Sequence, residues 1–521
     1  MEKIKKFILS LDQGTTSSRT LLIDNEGKIL DKSQIEFKQI FPQTSWVEHD
    51  PIEIWESQLQ STKNVLKNKK INPEDIAAIA ITNQRETIVA FHSETGSPVH
   101  NAIVWQCRRT AKYCEELKLK HKQSIKEKTG LEIDAYFSAS KMKWIIENVP
   151  DAKELIKQKK IRFGTIDSWL IWNLTSSKSF FTDASNASRT MLFNIKENKY
   201  DQDLLNLFGI EEWMLPKVLD SDGDFGTTDK KILGAEIPIK AVLGDQQAAL
   251  FGQCCFKKGD LKVTYGTGGF LLINIGSELK INDNFLTTIA WRIKESIGEP
   301  AYRRTGGSAN RRASELENRP TAASCTYALE GSTFISGAII QWLRDGLQII
   351  KDSSEVEKIA ISLNSNEGVY LVPALVGLGA PYWDQNARGT IIGLTRGTNR
   401  THIIRAAVES MAYQITDLLL PLKNELSKDA FLKADGGAAK NNFLLQFQAD
   451  LLQMPVTRSS QVEATALGVA YLAGLSLGFW KSLDEIIKNW HPDELFLPRT
   501  DRQNEYNKWK EAVKRARNWE N

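Results

Sequence analysis

The sequence has few cysteines and arranges them in no recognisable pattern. Cys107, Cys114, Cys254, Cys255 and Cys325 form no CxxC pair and no Cys/His ligand set. That excludes a disulfide framework and a zinc module, and fits structural thiols in a reducing cytoplasm. Long apolar runs are missing too. The N-terminal run Phe7-Ile-Leu-Ser-Leu11 stops at Asp12 without a cleavage region, so it reads as a first strand and not as an export signal. Nothing is long and apolar enough to span a bilayer. Neither charge sign dominates: 67 Lys and Arg against 64 Asp and Glu leave a formal +3, with no basic stripe. Nucleic acid and membrane surfaces are therefore not expected partners. No GxxxxGKS/T segment and no protein-kinase signature set occurs, which sets aside those two phosphoryl-transfer designs.

What is present is a chain of 521 residues, 41% hydrophobic and 25% charged. This describes a soluble globular protein too long for one core, with two large domains as the natural expectation. The stretch Phe7-Ile-Leu-Ser-Leu-Asp12-Gln-Gly14-Thr15-Thr16-Ser17-Ser18-Arg19 reads as an apolar strand, a Gly/Thr/Ser turn and a returning strand over Thr20–Ile23. Such a turn aims backbone N–H groups and hydroxyls at a phosphate. Asp12, at the strand end, is placed to hold the magnesium that accompanies nucleotide phosphates, and Arg19 adds positive charge on the same side.

The device recurs at Leu261-Lys-Val-Thr-Tyr-Gly266-Thr267-Gly268-Gly269-Phe270. Two related halves follow, 1–252 and 253–521, each opened by a phosphate-facing hairpin. Pro51–Lys67 has helical spacing behind Asp50. Ile76–Thr82 reads as a strand that delivers Arg85 and Glu86 to its mouth, where open α/β sheets bind ligands. A further strand ends in Asp245 and passes into a small-residue helix. Ser332–Asp345 is expected to be helical, and the charged helix Asp501–Trp519 to be a packing helix.

One stretch does not match its surroundings. From about Arg292 to Cys325 the sequence turns to Arg, Ala, Ser and Gly, with Lys294 its only lysine, between the strand-like pieces Leu286–Trp291 and Thr326–Leu329. It reads as an inserted, largely disordered loop at a hairpin tip, a place where added length costs little stability.

Whole segments of the chain resemble the FGGY carbohydrate kinases, and among them the glycerol-phosphorylating members. They include Asp12-Gln-Gly-Thr-Thr-Ser-Ser-Arg19, Ile81-Thr-Asn-Gln-Arg-Glu-Thr87, Asn186-Ala-Ser-Arg-Thr-Met191, Gly244-Asp-Gln-Gln-Ala-Ala249, Gln341-Trp-Leu-Arg-Asp345 and Asp435-Gly-Gly-Ala438. The likeness spans nearly the whole chain and fails at about 292–325, which typical members lack.

The resemblance implies an α/β fold of two actin-like, ribonuclease-H-like domains closing over ATP. It implies phosphorylation of glycerol to sn-glycerol 3-phosphate, the entry step of glycerol catabolism, by a cytoplasmic homodimer or homotetramer. Carried over by residue, glycerol would be bound by Arg85, Glu86, Tyr136, Asp245 and Gln246, with Trp105 and Phe270 flanking its carbons. Asp245 would be the general base. Thr15, Thr16, Ser17, Arg19 and Thr267 would cradle the phosphates of ATP, with Mg2+ near Asp12 and Asp245. Gly337, Gln341, Gly437 and Asn441 would hold the adenosine side. A triol offers only hydroxyls, so a binder needs a donor fork, an acceptor and aromatic faces for its C–H surface. Two other readings stand beside this one: another polyol or pentulose kinase of the same fold, and a relic disabled by the insert.

Overall fold

The structure, a computed structural model, describes residues 6–294, 323–460 and 463–520. The chain opens with β1 (Phe7–Gln13), β2 (Ser17–Asp24) and β3 (Ile29–Glu36), an antiparallel meander. Helix α1 (Pro51–Asn68) follows, its first turn fixed by Asp50, whose carboxylate accepts from the Ile52 amide, and by Pro51 at the first position. Strand β4 (Ile76–Asn83) then lies parallel to β1, and β5 (Ile239–Gly244) parallel to β4. Every residue of β4 is buried, as a small, β-branched run requires when both sheet faces are covered. The sheet order is β3-β2-β1-β4-β5. The strand that follows, Ile88–His92, belongs to a separate four-stranded sheet.

Beyond α2 (Asp245–Gly252) the same plan repeats with β6 (Leu261–Tyr265), β7 (Gly269–Gly276), β8 (Leu286–Lys294) and β9 (Ala323–Thr333). Helix α3 (Ala338–Asp345), β10 (Leu432–Asp435), β11 (Val456–Ser459), α4 (Ala464–Leu477) and β12 (Pro492–Phe496) complete the second half. Its sheet runs β8-β9-β7-β6-β10-β11-β12. Read outward from the opening hairpin, the core β9-β7-β6-β10-β11 reproduces the order and directions of the first sheet.

Three details depart from the sequence reading. Ser332 and Thr333 are strand, not helix, because they continue the pairing of β9 with Phe270 and Gly269. The amides of Ser336, Gly337 and Ala338 then bond the carbonyls of Thr267 and Gly266, and only there does α3 begin. The ladder of β8 and β9 also extends further than expected, to Arg292 opposite Cys325 and Lys294 opposite Ala323. The Arg292 guanidinium on Asp220 and the Lys294 amide on Asp222 anchor that extension. The rest of the proposed insert, 295–322, lies outside the described residues.

Finally, α4 crosses back and packs against α2, β4, β1 and β5 of the first half. The crossing is close: a Cβ on Gly252 would run into the Ala464 carbonyl, and one on Gly468 into that of Ala248.

Candidate active site

The carboxyl ends of the adjacent parallel strands β4 and β5 deliver the central residues. Arg85 and Glu86 follow β4, and Asp245 is the first residue after β5. Gly244 leaves room for them: a Cβ there would stand 2.7 Å from Arg85 Cδ. Glu86 is held in the left-handed region at φ 61°, a conformation that persists only where its surroundings fix it. Arg85 Nε lies 3.0 Å from Asp245 Oδ1 as an ion pair, and Arg85 Nη2 donates to the Tyr136 hydroxyl at 3.3 Å. The Trp105 ring stands 5.6 Å from Tyr136 and 6.1 Å from Phe270. Because Phe270 belongs to β7, the aromatic wall is built from both halves. Trp105 Nε1 also donates to Thr15 Oγ1 at 3.0 Å, tying the wall to the first Gly/Thr turn.

Asp245 is 30% exposed at its side chain, whereas Arg85 is 1% exposed. Its Oδ1 accepts from the Gln246 amide at 2.7 Å; its Oδ2 has only a 3.4 Å contact with Gln246 Nε2. All seven residues expected at the glycerol site thus meet around one opening.

Beneath it lies a charge cluster that sequence reasoning missed. Glu330, from β9, binds both ends of the Arg85 fork, at 2.6 Å to Nη1 and 3.1 Å to Nη2. Arg189 donates to Glu86 at 2.6 Å and to Glu330 at 2.9 Å. Burial pushes the Glu86 carboxyl up despite Arg85 and Arg189. Lys262, also fully buried, donates to Gln246 Oε1 and Thr264. A faint signal for these residues existed: Glu330 and Lys262 are single charges inside apolar strands, where an unpaired charge is costly.

The five residues expected on the second half's side of the nucleotide, Thr267, Gly337, Gln341, Gly437 and Asn441, line one cavity of about 560 Å³. Its walls are close backbone approaches. A Cβ on Gly337 would lie 2.7 Å from the Gly266 oxygen; next to the cavity, one on Gly436, at φ 89°, would lie 2.6 Å from that of Tyr265. A Cβ on Gly437 would meet nothing within 4 Å. The Asn441 side chain is occupied in capping the next helix, accepting from the Leu444 amide at 3.0 Å.

At the other end, the Gly14 amide closes the first turn on the Ser17 carbonyl at 2.9 Å. Thr16 is exposed there, Thr15 is half-buried, and the Ser17 hydroxyl accepts from Gln34 at 3.0 Å. Arg19 lies on the same side with its charge paired: Glu463 binds it directly and Asp12 lies 3.8 Å away. The Asp12 acid is pushed up to about 6, chiefly by burial. Arg19 opposes that shift, while the charges of Glu463 and Asp245 add to it. A buried carboxylate with this excess of negative neighbours fits a hard cation.

Residues 7–252 match the FGGY family of carbohydrate kinases, N-terminal domain, and residues 261–477 the C-terminal domain of the same family. The chain is 53% identical over 520 residues to the glycerol kinase of a Thermoanaerobacter species, covering 99% of each. It is 51% identical over 521 residues to glycerol kinase 2 of Thermotoga maritima, again covering 99% of each. Among solved structures, Plasmodium falciparum glycerol kinase with ADP is similar at a TM-score of 0.84 and 34% identity over 99% of both chains. A ligand-bound xylulose kinase from Lactobacillus acidophilus shares the fold at a TM-score of 0.80 and 21% identity, covering 98% of this chain and 97% of its own. The chain belongs to the FGGY family of carbohydrate kinases.

Proposed function

We propose that the chain transfers the γ-phosphoryl group of ATP to a terminal hydroxyl of glycerol, yielding sn-glycerol 3-phosphate and ADP. The observation that carries this reading is the Asp245 carboxylate, held through Oδ1 by Arg85 and the Gln246 backbone amide, with only a 3.4 Å contact at Oδ2 and its side chain 30% exposed. Arg85, Glu86, Tyr136 and Gln246 supply the donors and acceptors for three hydroxyls, and Trp105 and Phe270 cover the carbons. A site that bonds each hydroxyl rejects analogues lacking one, because buried partners are then left unpaired.

Asp245 Oδ2 accepts the proton of the attacking hydroxyl as its oxygen bonds to the γ-phosphorus and the bond to the β-phosphate oxygen breaks, releasing ADP. Thr15, Thr16, Ser17 and Thr267 orient the phosphates, and the cavity holding Gln341 and Gly437 takes the adenosine. Asp12 and Asp245 would hold Mg2+, which supplies charge neutralisation when bound. Action in the cytoplasm as a homodimer or homotetramer belongs to the same proposal.

The identity to glycerol kinases over the whole chain favours glycerol over a pentulose. A disabled relic is disfavoured by the complete constellation and by the place of the insert. Its root, at Ala323, is seven residues along β9 from Glu330, roughly 23 Å by the ordinary strand rise. The test is glycerol- and magnesium-dependent ADP release, beside Asp245→Asn. Turnover should fall about 10²- to 10⁴-fold in the variant. A pentulose outperforming glycerol, or nucleotide binding without turnover in the unmodified protein, would overturn the proposal.

A further inference from the structure

Glu330 takes no part in the chemistry above, yet it is the most firmly held carboxylate in the site. It is fully buried, and its two oxygens receive Nη1 and Nη2 of Arg85. Oε1 also accepts from Arg189 Nη2 at 2.9 Å and Ser332 Oγ at 3.1 Å. Burial alone would raise its acid, but Arg189 and Arg85 hold it down at about 2, so the carboxylate stays charged.

A guanidinium has five N–H donors in a rigid planar fork, and one carboxylate can occupy only one edge of it. We propose that Glu330 is a positioning residue for substrate binding: it takes the end of the Arg85 fork and thereby turns the side edge, Nε and Nη2, toward glycerol.

The observed partners follow that division. The end edge is spent on Glu330, while the side edge meets Asp245 at 3.0 Å and the Tyr136 hydroxyl at 3.3 Å, both groups of the pocket. Glu86 Oε1 lies a further 3.8 Å from Nε. Three carboxylates therefore compete for one arginine, and the outcome matters for the chemistry. An Arg85 released from Glu330 would swing its fork onto Asp245, occupying Oδ2 and removing both the glycerol donor and the free base oxygen. Glu330 comes from β9 of the second half and Arg85 from the first. The donor edge that glycerol meets is thus set from across the cleft.

This inference rests on the glycerol reading, and its test keeps the two separable. Steady-state kinetics are measured for the unmodified protein, Glu330→Gln and Glu330→Asp, varying glycerol and ATP in turn. The amide offers one acceptor and two repelling hydrogens to the fork; the aspartate keeps the charge but draws it back by one methylene. In the Gln variant KM for glycerol should rise about 10- to 100-fold, with a smaller rise in Asp and KM for ATP unchanged in both. In an Arg85→Ala background, Glu330→Asp should add no further loss, since the residue acts through Arg85. KM for glycerol within twofold in both variants would overturn the proposal, as would KM for ATP rising in step or an additive loss in the Arg85→Ala background. If the Gln variant does not fold, the Asp variant and its cycle decide. No glycerol turnover in the unmodified protein would instead defeat the activity reading.

Discussion

The Lys262 ammonium donates to the Gln246 side-chain oxygen at 2.5 Å, which settles the direction of that amide. With its oxygen taken, Gln246 presents only its Nε2 hydrogens toward Asp245 and the opening. The same ammonium donates to Thr264, whose hydroxyl donates in turn to Asp435. A buried lysine on strand β6 of the second half thus orients, on α2, a residue of the proposed glycerol site. Replacing Lys262 by Met should leave Gln246 Oε1 buried and unpaired, at a cost of about 1–3 kcal/mol. The expected outcome is a loss of about 10- to 100-fold in kcat/KM for glycerol. An unchanged value would show that the amide needs no such support.

Gly437 offers a test of the nucleotide cavity that spares the fold. A methyl group there meets no protein atom within 4 Å, and the residue lacks a positive φ. Gly437→Ala should therefore melt with the parent protein. Against bound ATP the same methyl overpacks the site, by about 1–3 kcal/mol, raising KM for ATP about 5- to 150-fold with KM for glycerol unaffected. A variant that binds ATP normally would place the adenosine elsewhere.

Asp12 predicts a specific pH dependence. Its acid in the folded chain, about 6, lies above the ordinary 3.8. The folded state therefore binds a proton that the unfolded state has lost. That stabilisation is complete below about 3.8 and disappears as pH rises through 6. Metal-free Asp12→Asn should lack this loss, melting above the parent at pH 7.5 but not at pH 4. Magnesium, which competes with the proton, should raise the parent's melting temperature at pH 7.5 and much less at pH 5. Equal magnesium effects at both pH values, or an undiminished effect in Asp12→Asn, would remove Asp12 from the metal site.

Deletion from Lys294 to Ser324 bears on the insert. Since β8 and β9 carry it at the end of the hairpin remote from Glu330, the shortened chain should lose the last pairs of that ladder and the Lys294 bond to Asp222, yet keep kcat and both KM values within about twofold. A collapse in turnover would show that these residues serve the site.

The two opening hairpins were legible because a Gly/Thr turn between apolar strands is a local signal, and so were the helix behind Asp50-Pro51 and the strand leading to Arg85. The strand character of Ser332 and Thr333 was not: it depends on pairing with Phe270 and Gly269, some sixty positions away. The residues around the pocket opening could be named from resemblance. Their supports could not, because Glu330 acts only through a contact 245 positions distant in sequence, and Arg19 reads as a free cation until Glu463 is brought beside it. Pairing of buried charges is a property of tertiary structure, invisible in either partner's neighbourhood.

The crossing of α4 under the first sheet has a consequence for how the protein is made. Strands β1, β4 and β5 are all synthesised before residue 245, yet the helix that packs against them ends at Leu477. A nascent chain leaving the ribosome therefore carries the exposed apolar face of a finished sheet while more than two hundred further residues are added. Its first half cannot complete folding as an independent unit during translation, and a messenger truncated before α4 would yield a sticky fragment rather than a working lobe.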